Sequence, residues 1–174
     1  MHEHKYDLTG VFLRWGRIKV TRPDGTASDN PEPFQVPRAY FQAKGVIHIE
    51  EGMGQPERHA ISIEIKDQTP PPLEPRPGIP LAFPREGAKP VLDNPRVTIW
   101  DYAWEPRKAT PMHFHDKDVI LVYIEGGTLV SKGEDGREQR NVRAYKDVVF
   151  NPRNRTHTEE AVAGNPRAMI LELK

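Results

Sequence analysis

The sequence predicts an all-β protein in which short strands are joined by tight turns. Apolar residues occur in short β-branched or aromatic runs, such as Val119 to Ile124, which Gly126 and Gly127 bound. The chain of 174 residues contains 18 prolines, which disfavour long helices and suit turns and strand edges. Because no segment shows a convincing helical period, the pattern favours a jelly-roll barrel.

Composition and charge exclude several classes of partner. Lysine plus arginine and aspartate plus glutamate each total 25, so the chain lacks the basic surplus typical of nucleic-acid-binding proteins. No stretch approaches the roughly 18 apolar residues of a membrane span, and the N-terminus lacks a signal-peptide core. The absence of cysteine excludes disulfides, thiolate metal sites and cysteine nucleophiles. We therefore expect a soluble, cytoplasmic protein whose partner is a small molecule, with no nucleic-acid or membrane partner.

Two histidines, His113 and His115, stand two residues apart directly ahead of an apolar run. Side chains alternate across a strand, so both imidazoles point to one face and can share a metal. A third imidazole, His157, follows a strand that runs into a turn rich in proline and asparagine. Imidazole ligands that leave coordination positions open suit a catalytic divalent metal, namely iron, nickel, zinc or copper.

These residues resemble the two sequence motifs of the cupin superfamily. In the first motif, H-x-H is followed four residues later by a glutamate and, after six more residues, by a glycine. His113, His115 and Gly126 fit that spacing. The second motif joins a proline turn to a histidine, which Pro152 and His157 match. The resemblance implies a cupin double-stranded β-helix, which is a jelly-roll barrel, with the three histidines as metal ligands.

The chain also departs from these motifs. Val119 stands where the family has its glutamate, Asp118 comes one residue early, and Lys146 and Asn154 replace glycines. The lack of the glutamate resembles the cupins in which a three-histidine Fe(II) centre binds O2 and an organic substrate. The resemblance thus implies a metal-binding protein with dioxygenase-like activity on a small molecule. The alternatives are a non-enzymatic cupin that binds or senses a ligand, and a metal-dependent isomerase or lyase, which needs a pocket carboxylate such as Asp118 or Glu159.

Strand parity suggests roles for the residues around the histidines. Tyr123 and Leu121 share a face with Val119 and are predicted to line the pocket, where the phenol can bond a substrate or simply fill the core. Asp118 points to the other face unless a bulge redirects it, so it is a catalytic candidate or an exposed charge. Arg155 is a candidate for binding an anionic substrate or a solvated surface residue. The catalytic candidates are Tyr123 and Asp118, and the substrate-binding candidates are Leu121 and Arg155.

The beginning of the chain repeats the pattern of its second half, which indicates an internal duplication. Residues 2–16 align without a gap with residues 113–127, so that the histidines, an aspartate and the apolar run coincide. The further matched segments are 38–40 with 143–145, 48–51 with 157–160, and 64–66 with 172–174. The first copy lacks the turn that presents the third histidine, and Met1 directly precedes its H-x-H. We therefore expect a degenerate copy whose histidines, His2, His4 and His48, hold no metal.

The duplication divides the sequence into three segments. Residues 1–68 form a partial, degenerate cupin-like repeat packed on the complete cupin barrel of residues 92–174. Residues 69–91 are a proline-rich connector, which is semi-extended and packs on a surface through its few apolar side chains. An incomplete copy leaves apolar strand edges that need a partner, so we expect a homodimer.

Overall fold

The structure, a computed structural model, describes residues 1–29, 31–67 and 70–174. The regular elements in these ranges are β-strands, so the predicted all-β class is confirmed. The strands form two compact units, Met1–Thr69 and Pro70–Lys174. Within the described ranges, no helix is long and apolar enough to cross a membrane.

The first unit consists of two antiparallel sheets. Its strands are β1 (His2–Glu3), β2 (Asp7–Arg14), β3 (Ile18–Thr21), β4 (Ala27–Asp29), β5 (Arg38–Gln42), β6 (Ile47–Gly52) and β7 (His59–Ile65). One sheet has the strand order β1-β6-β3-β4, and the other has the order β5-β2-β7. Val11, Leu13 and Ile65 are buried in this unit. The segment predicted as a partial repeat therefore has two sheets and buried apolar residues of its own.

Pairing between β1 and β6 places the histidines of the first unit. His2 lies opposite His48 in the antiparallel register. Beyond β1, the His4 N–H donates to the Val46 carbonyl at 3.0 Å, and the His4 carbonyl accepts from the Gly45 N–H at 2.8 Å. Backbone hydrogen bonds therefore hold the first H-x-H alongside β6, next to the third histidine.

The second unit is a seven-stranded antiparallel sheet. Its strands are β8 (Lys89–Asp93), β9 (Val97–Ala103), β10 (His113–His115), β11 (Val119–Gly133), β12 (Glu138–Arg143), β13 (Val148–Asn151) and β14 (Arg155–Leu173). The order is β12-β11-β14-β9-β8, with β10 paired to β14 and β13 paired to β11. The long strands β11 and β14 have different neighbours along their lengths, as expected where strands pass between the two sheets of a jelly roll.

Apolar side chains fill the interior of the second unit. The buried cluster consists of Ala82, Phe83, Tyr102, Trp104, Val119, Leu121, Tyr123, Leu129, Ala161, Ala168 and Ile170. Trp104 and Tyr123 stack within it, with ring centroids 6.1 Å apart. Val119 is only 1 % exposed. The position at which the cupin motif has a glutamate is thus part of the hydrophobic core in this chain.

The proline-rich segment packs against β10 in the second unit. The Phe114 N–H donates to the Pro80 carbonyl, and the Ala82 N–H donates to the Phe114 carbonyl, both at 2.8 Å. Ala82 and Phe83 are buried, with exposures of 0 % and 3 %. The backbone groups of this segment therefore extend the hydrogen bonding of β10, the strand that carries two of the candidate metal ligands.

Two residues at which the cupin motif has glycine adopt the left-handed backbone conformation, as Arg107 also does. Lys146 has a φ of 75° and Asn154 has a φ of 68°. The cupin resemblance expects glycine at both positions, and a side chain there costs about 1 kcal/mol, less for asparagine. Hydrogen bonds hold both turns, because the Lys146 N–H donates to the Tyr123 carbonyl at 2.9 Å and the Asn154 N–H to the His115 carbonyl at 2.8 Å. The chain keeps the shape of these turns while replacing their residues.

Replacing Lys146 by glycine tests whether this turn is strained. We expect Lys146→Gly to raise the free energy of unfolding by about 1 kcal/mol, because glycine adopts a positive φ without a steric penalty. Denaturant unfolding monitored by tryptophan fluorescence measures the change. The matched control is Lys132→Gly in the extended strand β11, which we expect to lower stability by about 0.5 to 1 kcal/mol. Equal losses in the two variants would contradict the interpretation.

Candidate metal centre

Two strands of the second unit bring the three predicted metal ligands together. In the pair of β10 and β14, His113 lies opposite His157, and His115 lies two residues further along β10. The ring centroids are 4.7 to 5.1 Å apart. All three side chains are buried, and one ring nitrogen from each lies within 4.8 Å of the other two. The three nitrogens are close enough together to share one metal ion.

Hydrogen bonding prepares the His113 ring for ligation through Nε2. His113 Nδ1 lies 2.9 Å from the Pro111 carbonyl oxygen, which only accepts, so Nδ1 carries the hydrogen and Nε2 keeps a lone pair. His115 Nε2 and His157 Nε2 are 3.3 Å apart. His115 Nδ1 is buried without a hydrogen-bond partner among the described residues. Two buried nitrogens at this separation can share either one hydrogen or one metal ion.

Burial keeps the three imidazoles uncharged. Desolvation lowers the pKa of His113, lowers that of His115 to about 2 and lowers that of His157 to about 4. Each ring is therefore neutral at neutral pH, which is the protonation state that binds a metal. Protons compete with a metal here only at a lower pH than they do at an exposed histidine.

Two arginine side chains contact the histidines and oppose a cation there. Arg85 Nη1 lies 3.5 Å from His113 Nε2, and Arg155 Nη2 lies 3.2 Å from His157 Nδ1. Because a guanidinium only donates, His157 Nδ1 accepts in this structure and Nε2 carries the hydrogen. Ligation through His157 Nε2 requires that hydrogen to move to Nδ1, which breaks the contact with Arg155.

A largely buried carboxylate, Glu159, whose side chain is 14 % exposed, lies beside the triad. Its Oε1 is 3.8 Å from His157 Nε2, whereas its Oε2 accepts from Trp104 Nε1 at 3.1 Å and lies 3.5 Å from Arg85 Nη2. Burial raises the pKa of Glu159, but Arg85 and the three histidines outweigh this effect and lower it to about 2. The sequence suggested Glu159 only as a pocket carboxylate. It gave no sign of Arg85, because that residue lies in the predicted connector.

The predicted pocket residues line one small cavity of about 70 Å³. Leu121, Tyr123 and Arg155 lie in its wall together with Glu159. Burial raises the pKa of Tyr123 to about 12, so the phenol keeps its hydrogen and can donate. Arg155 Nη1 is buried without a hydrogen-bond partner among the described residues. The structure brings these side chains together, and their substrate contacts stay predictions.

Asp118, the other predicted catalytic residue, fixes the turn that precedes β14. Its Oδ1 accepts from the Arg153 N–H at 2.7 Å, and its carbonyl accepts from the Leu173 N–H at 3.0 Å. It is not part of the histidine group that can hold a metal in the described chain. These contacts support a structural role, and a catalytic role stays a prediction.

The first unit contains a second histidine triad. The Nε2 atoms of His2, His4 and His48 are 3.1 Å apart in every pair. Three nitrogens bound to one ion at about 2.1 Å and at right angles would lie about 3.0 Å apart. The expectation that this set holds no metal depended on an unanchored residue 2, whereas His2 pairs with His48 in the sheet. The geometry therefore suits a metal in this unit as well.

A cavity of about 600 Å³ opens beside the triad of the first unit. His4 and Glu50 line it, as does Arg58, whose guanidinium lies 5.1 Å from the centre of the Phe12 ring. The apolar part of its wall consists of Leu8, Phe12, Ile18 and Ala60. An apolar wall with a few polar groups suits a small organic ligand.

Comparison with known proteins identifies the fold. No protein-family model matches the sequence, and no curated protein matches it significantly. The cupin 2 conserved barrel domain protein from Leptotrichia buccalis is 11 % identical over 100 % of this chain and 76 % of its own, with a TM-score of 0.54. The protein has the cupin fold. The predicted jelly roll is thereby confirmed.

Two further solved structures match nearly the whole chain. AerE from Microcystis aeruginosa is 11 % identical over 99 % of this chain and 80 % of its own, with a TM-score of 0.66. A structure of oxalate decarboxylase is 14 % identical over 99 % of this chain and 64 % of its own, with a TM-score of 0.57. Identities this low establish the cupin fold alone. The chemistry has to be argued from the residues of this chain.

Truncation of Asp118 separates a structural role from a ligand role. We expect Asp118→Ala to lower the free energy of unfolding by about 1 to 2 kcal/mol, because the Arg153 N–H loses a charged acceptor. The bound metal content should not change, because the carboxylate lies outside the triad. Denaturant unfolding and elemental analysis measure the two effects, and Asp118→Asn, which keeps an acceptor oxygen, is the control. Loss of metal at unchanged stability would contradict the structural role.

Proposed function

We propose that this cupin-fold protein is a metal-dependent enzyme that acts on a small oxygen-bearing molecule, with a divalent metal held by His113, His115 and His157. The observation that carries the proposal is the convergence of three buried, neutral imidazoles, one of which contacts Arg155 and lies 3.8 Å from Glu159 in the wall of a cavity. The metal is iron, nickel, zinc or copper, because imidazole nitrogen suits these ions better than magnesium or calcium. Three neutral ligands leave such an ion its double charge and open positions for a substrate.

We extend the proposal to the triad of the first unit, contrary to the expectation from the sequence. Its Nε2 separations of 3.1 Å match three ligands on one face of an octahedral ion. Burial lowers the pKa of His48, which favours its neutral form. Two metal equivalents per chain are therefore the expected content.

Dioxygenase-like chemistry is the first candidate reaction, since a three-histidine centre can supply positions for O2 and an organic substrate. Tyr123 is the candidate donor to a substrate oxygen, because its phenol stays protonated. Arg155 is the candidate partner of an anionic substrate group, because Nη1 is buried without a partner among the described residues. A bound metal would also release Arg155 Nη2 from His157 for this role.

A metal-dependent isomerase or lyase is the second candidate, and Glu159 is the observation that favours it. Such a reaction needs a carboxylate in the pocket to move a proton, and Glu159 lines the cavity in ionised form. It lies beside Tyr123 and Arg155, which can hold a substrate oxygen. Metal identity and oxygen consumption distinguish the two candidates.

Elemental analysis tests the metal sites. Protein purified without a nickel column should contain two metal equivalents per chain. His113→Ala combined with His157→Ala should remove one equivalent and His48→Ala the other, because each triad loses ligand nitrogens. His59→Ala, which changes a histidine outside both triads, is the matched control and should retain both. The proposal would be contradicted if the wild-type protein contained no stoichiometric metal, or if the metal content per chain were unchanged in the triad variants.

Oxygen-electrode measurements with a panel of small enols, thiols and diketones test the reaction. Iron with substrate-dependent O2 uptake would support the dioxygenase. Zinc or nickel without O2 uptake, together with turnover of a panel compound, would support the isomerase or lyase. A panel compound that raises the thermal midpoint without turnover would contradict both and point to a non-enzymatic ligand-binding cupin.

We also propose a homodimer, as expected from the sequence. Large apolar side chains on β12, on β13 and in the turn between them are exposed, with Val142 at 72 %, Phe150 at 57 % and Tyr145 at 50 %. Sedimentation should show a dimer for the wild type and a monomer for Phe150→Glu. The control Val91→Glu, on the separate strand β8, should remain dimeric. A wild-type monomer would contradict the proposal.

The cytoplasmic location stays a prediction.

A further inference from the structure

The position that supplies a glutamate in the cupin motif is apolar in both copies of this chain. In the second copy it is Val119, which is 1 % exposed in the core. In the first copy the aligned residue is Leu8, which belongs to the apolar wall of the cavity. Neither copy therefore offers a carboxylate at this position of the strand.

Each copy instead carries a glutamate two residues after its third histidine. Glu50 follows His48 in β6, and Glu159 follows His157 in β14. Side chains two residues apart in a strand share a face, so each glutamate lies on the face of its histidine. Glu50 lines the cavity that His4 also lines, and Glu159 lines the cavity of the second unit. The two glutamates thus have the same position relative to the third histidine, although Glu50 is exposed and Glu159 is largely buried.

We infer that Glu159 supplies a carboxylate oxygen as the fourth ligand of the metal in the second unit, and that Glu50 does so in the first unit. The inference rests on the proposed metal sites. It assigns the ligand to β14 and β6 instead of to β11 and β2. A carboxylate also lowers the net charge of a buried divalent ion, which three neutral imidazoles leave uncompensated.

The contacts of Glu159 hold one of its oxygens and leave the other for the metal. The Glu159 N–H donates to Thr110 Oγ1 at 2.9 Å, and Oε2 accepts from Trp104 Nε1 at 3.1 Å. Oε1 lies 3.8 Å from His157 Nε2 and accepts no hydrogen bond from the described residues. Adjacent ligands of one ion lie about 3.0 Å apart. Oε1 approaches His157 at 3.8 Å, but Glu159 is outside the group of ligand atoms that all lie within 4.8 Å of one another, so ligation requires its side chain to turn towards His113 and His115.

Glu50 makes fewer contacts than Glu159: it is exposed, and its charge acts on Arg58 in the wall of the same cavity. Glu159 pairs with Arg85 at 3.5 Å, so a purely structural role is conceivable for it. Glu50 forms no hydrogen bond and no ion pair with the described residues, although it lines the cavity beside His4. A metal ion at the triad would add a second positive charge near this carboxylate, beside that of Arg58.

Titration with Co²⁺ tests the assignment in the full-length, metal-free protein, since the affinity and the visible absorption bands of Co²⁺ both report its ligands. The His48→Ala background isolates the site of the second unit. There, Glu159→Gln should weaken Co²⁺ binding by about tenfold to a hundredfold or more and shift the bands, because a ligand is lost. Glu160→Gln, which changes the next residue on the opposite face of β14, should do neither. Glu159→Asp, which keeps a carboxylate, should recover part of the affinity if Glu159→Gln is poorly folded.

The site of the first unit is tested in the same way in the His157→Ala background. Glu50→Gln should weaken Co²⁺ binding and shift the bands, whereas Glu51→Gln should leave both unchanged. Co²⁺ binding with unchanged affinity and bands in Glu159→Gln and Glu50→Gln would overturn the inference while leaving the proposed metal sites in place. Loss of turnover at unchanged Co²⁺ affinity would also overturn it, by showing that Glu159 acts as a base. If neither the His48→Ala variant nor the His157→Ala variant binds Co²⁺, both the proposed metal sites and this inference are wrong.

Discussion

The antiparallel pairing of β10 with β14 is the constraint on which the second unit's site depends. It places His113 opposite His157 and puts the three imidazoles inside the barrel, away from water. An exposed histidine is partly protonated near its ordinary pKa of about 6.5. Burial shifts the equilibrium towards the neutral ring, so the packing that builds the core also prepares the nitrogens for a metal. Fold and protonation state thus have one physical cause.

The two triads differ in their charged surroundings. Arg85 and Arg155 contact histidines of the second triad, and Glu159 balances only one of these positive charges. In the first unit, Glu50 is the charged group with the largest effect on the pKa of His48, and no arginine of the described residues contributes to that pKa. A cation meets less electrostatic opposition in the first unit. In the second unit, an anion that reaches Arg155 would offset part of that opposition.

The sequence predicted the strand class and the second triad because both depend on local pattern. Alternation along a strand puts His113 and His115 on one face, and the proline turn marks the approach to His157. Arg85 was missed because nothing local shows that a proline-rich segment hydrogen-bonds to β10. The first triad was undervalued because the pairing of β1 with β6 is a long-range contact that no local pattern reveals. The link from Trp104 to Glu159 joins residues 55 positions apart and likewise needs the fold.

The left-handed turns at Lys146 and Asn154 have a consequence for how such proteins are recognised. A pattern that scores glycine at these positions penalises this chain, although its backbone has the torsion angles for which glycine is normally selected. These two positions keep the backbone conformation typical of glycine although neither residue is a glycine. Backbone hydrogen bonds hold the two turns in that conformation. Cupin-fold chains without these glycines are found more readily by comparing backbone torsion angles and strand register than by comparing amino-acid sequences.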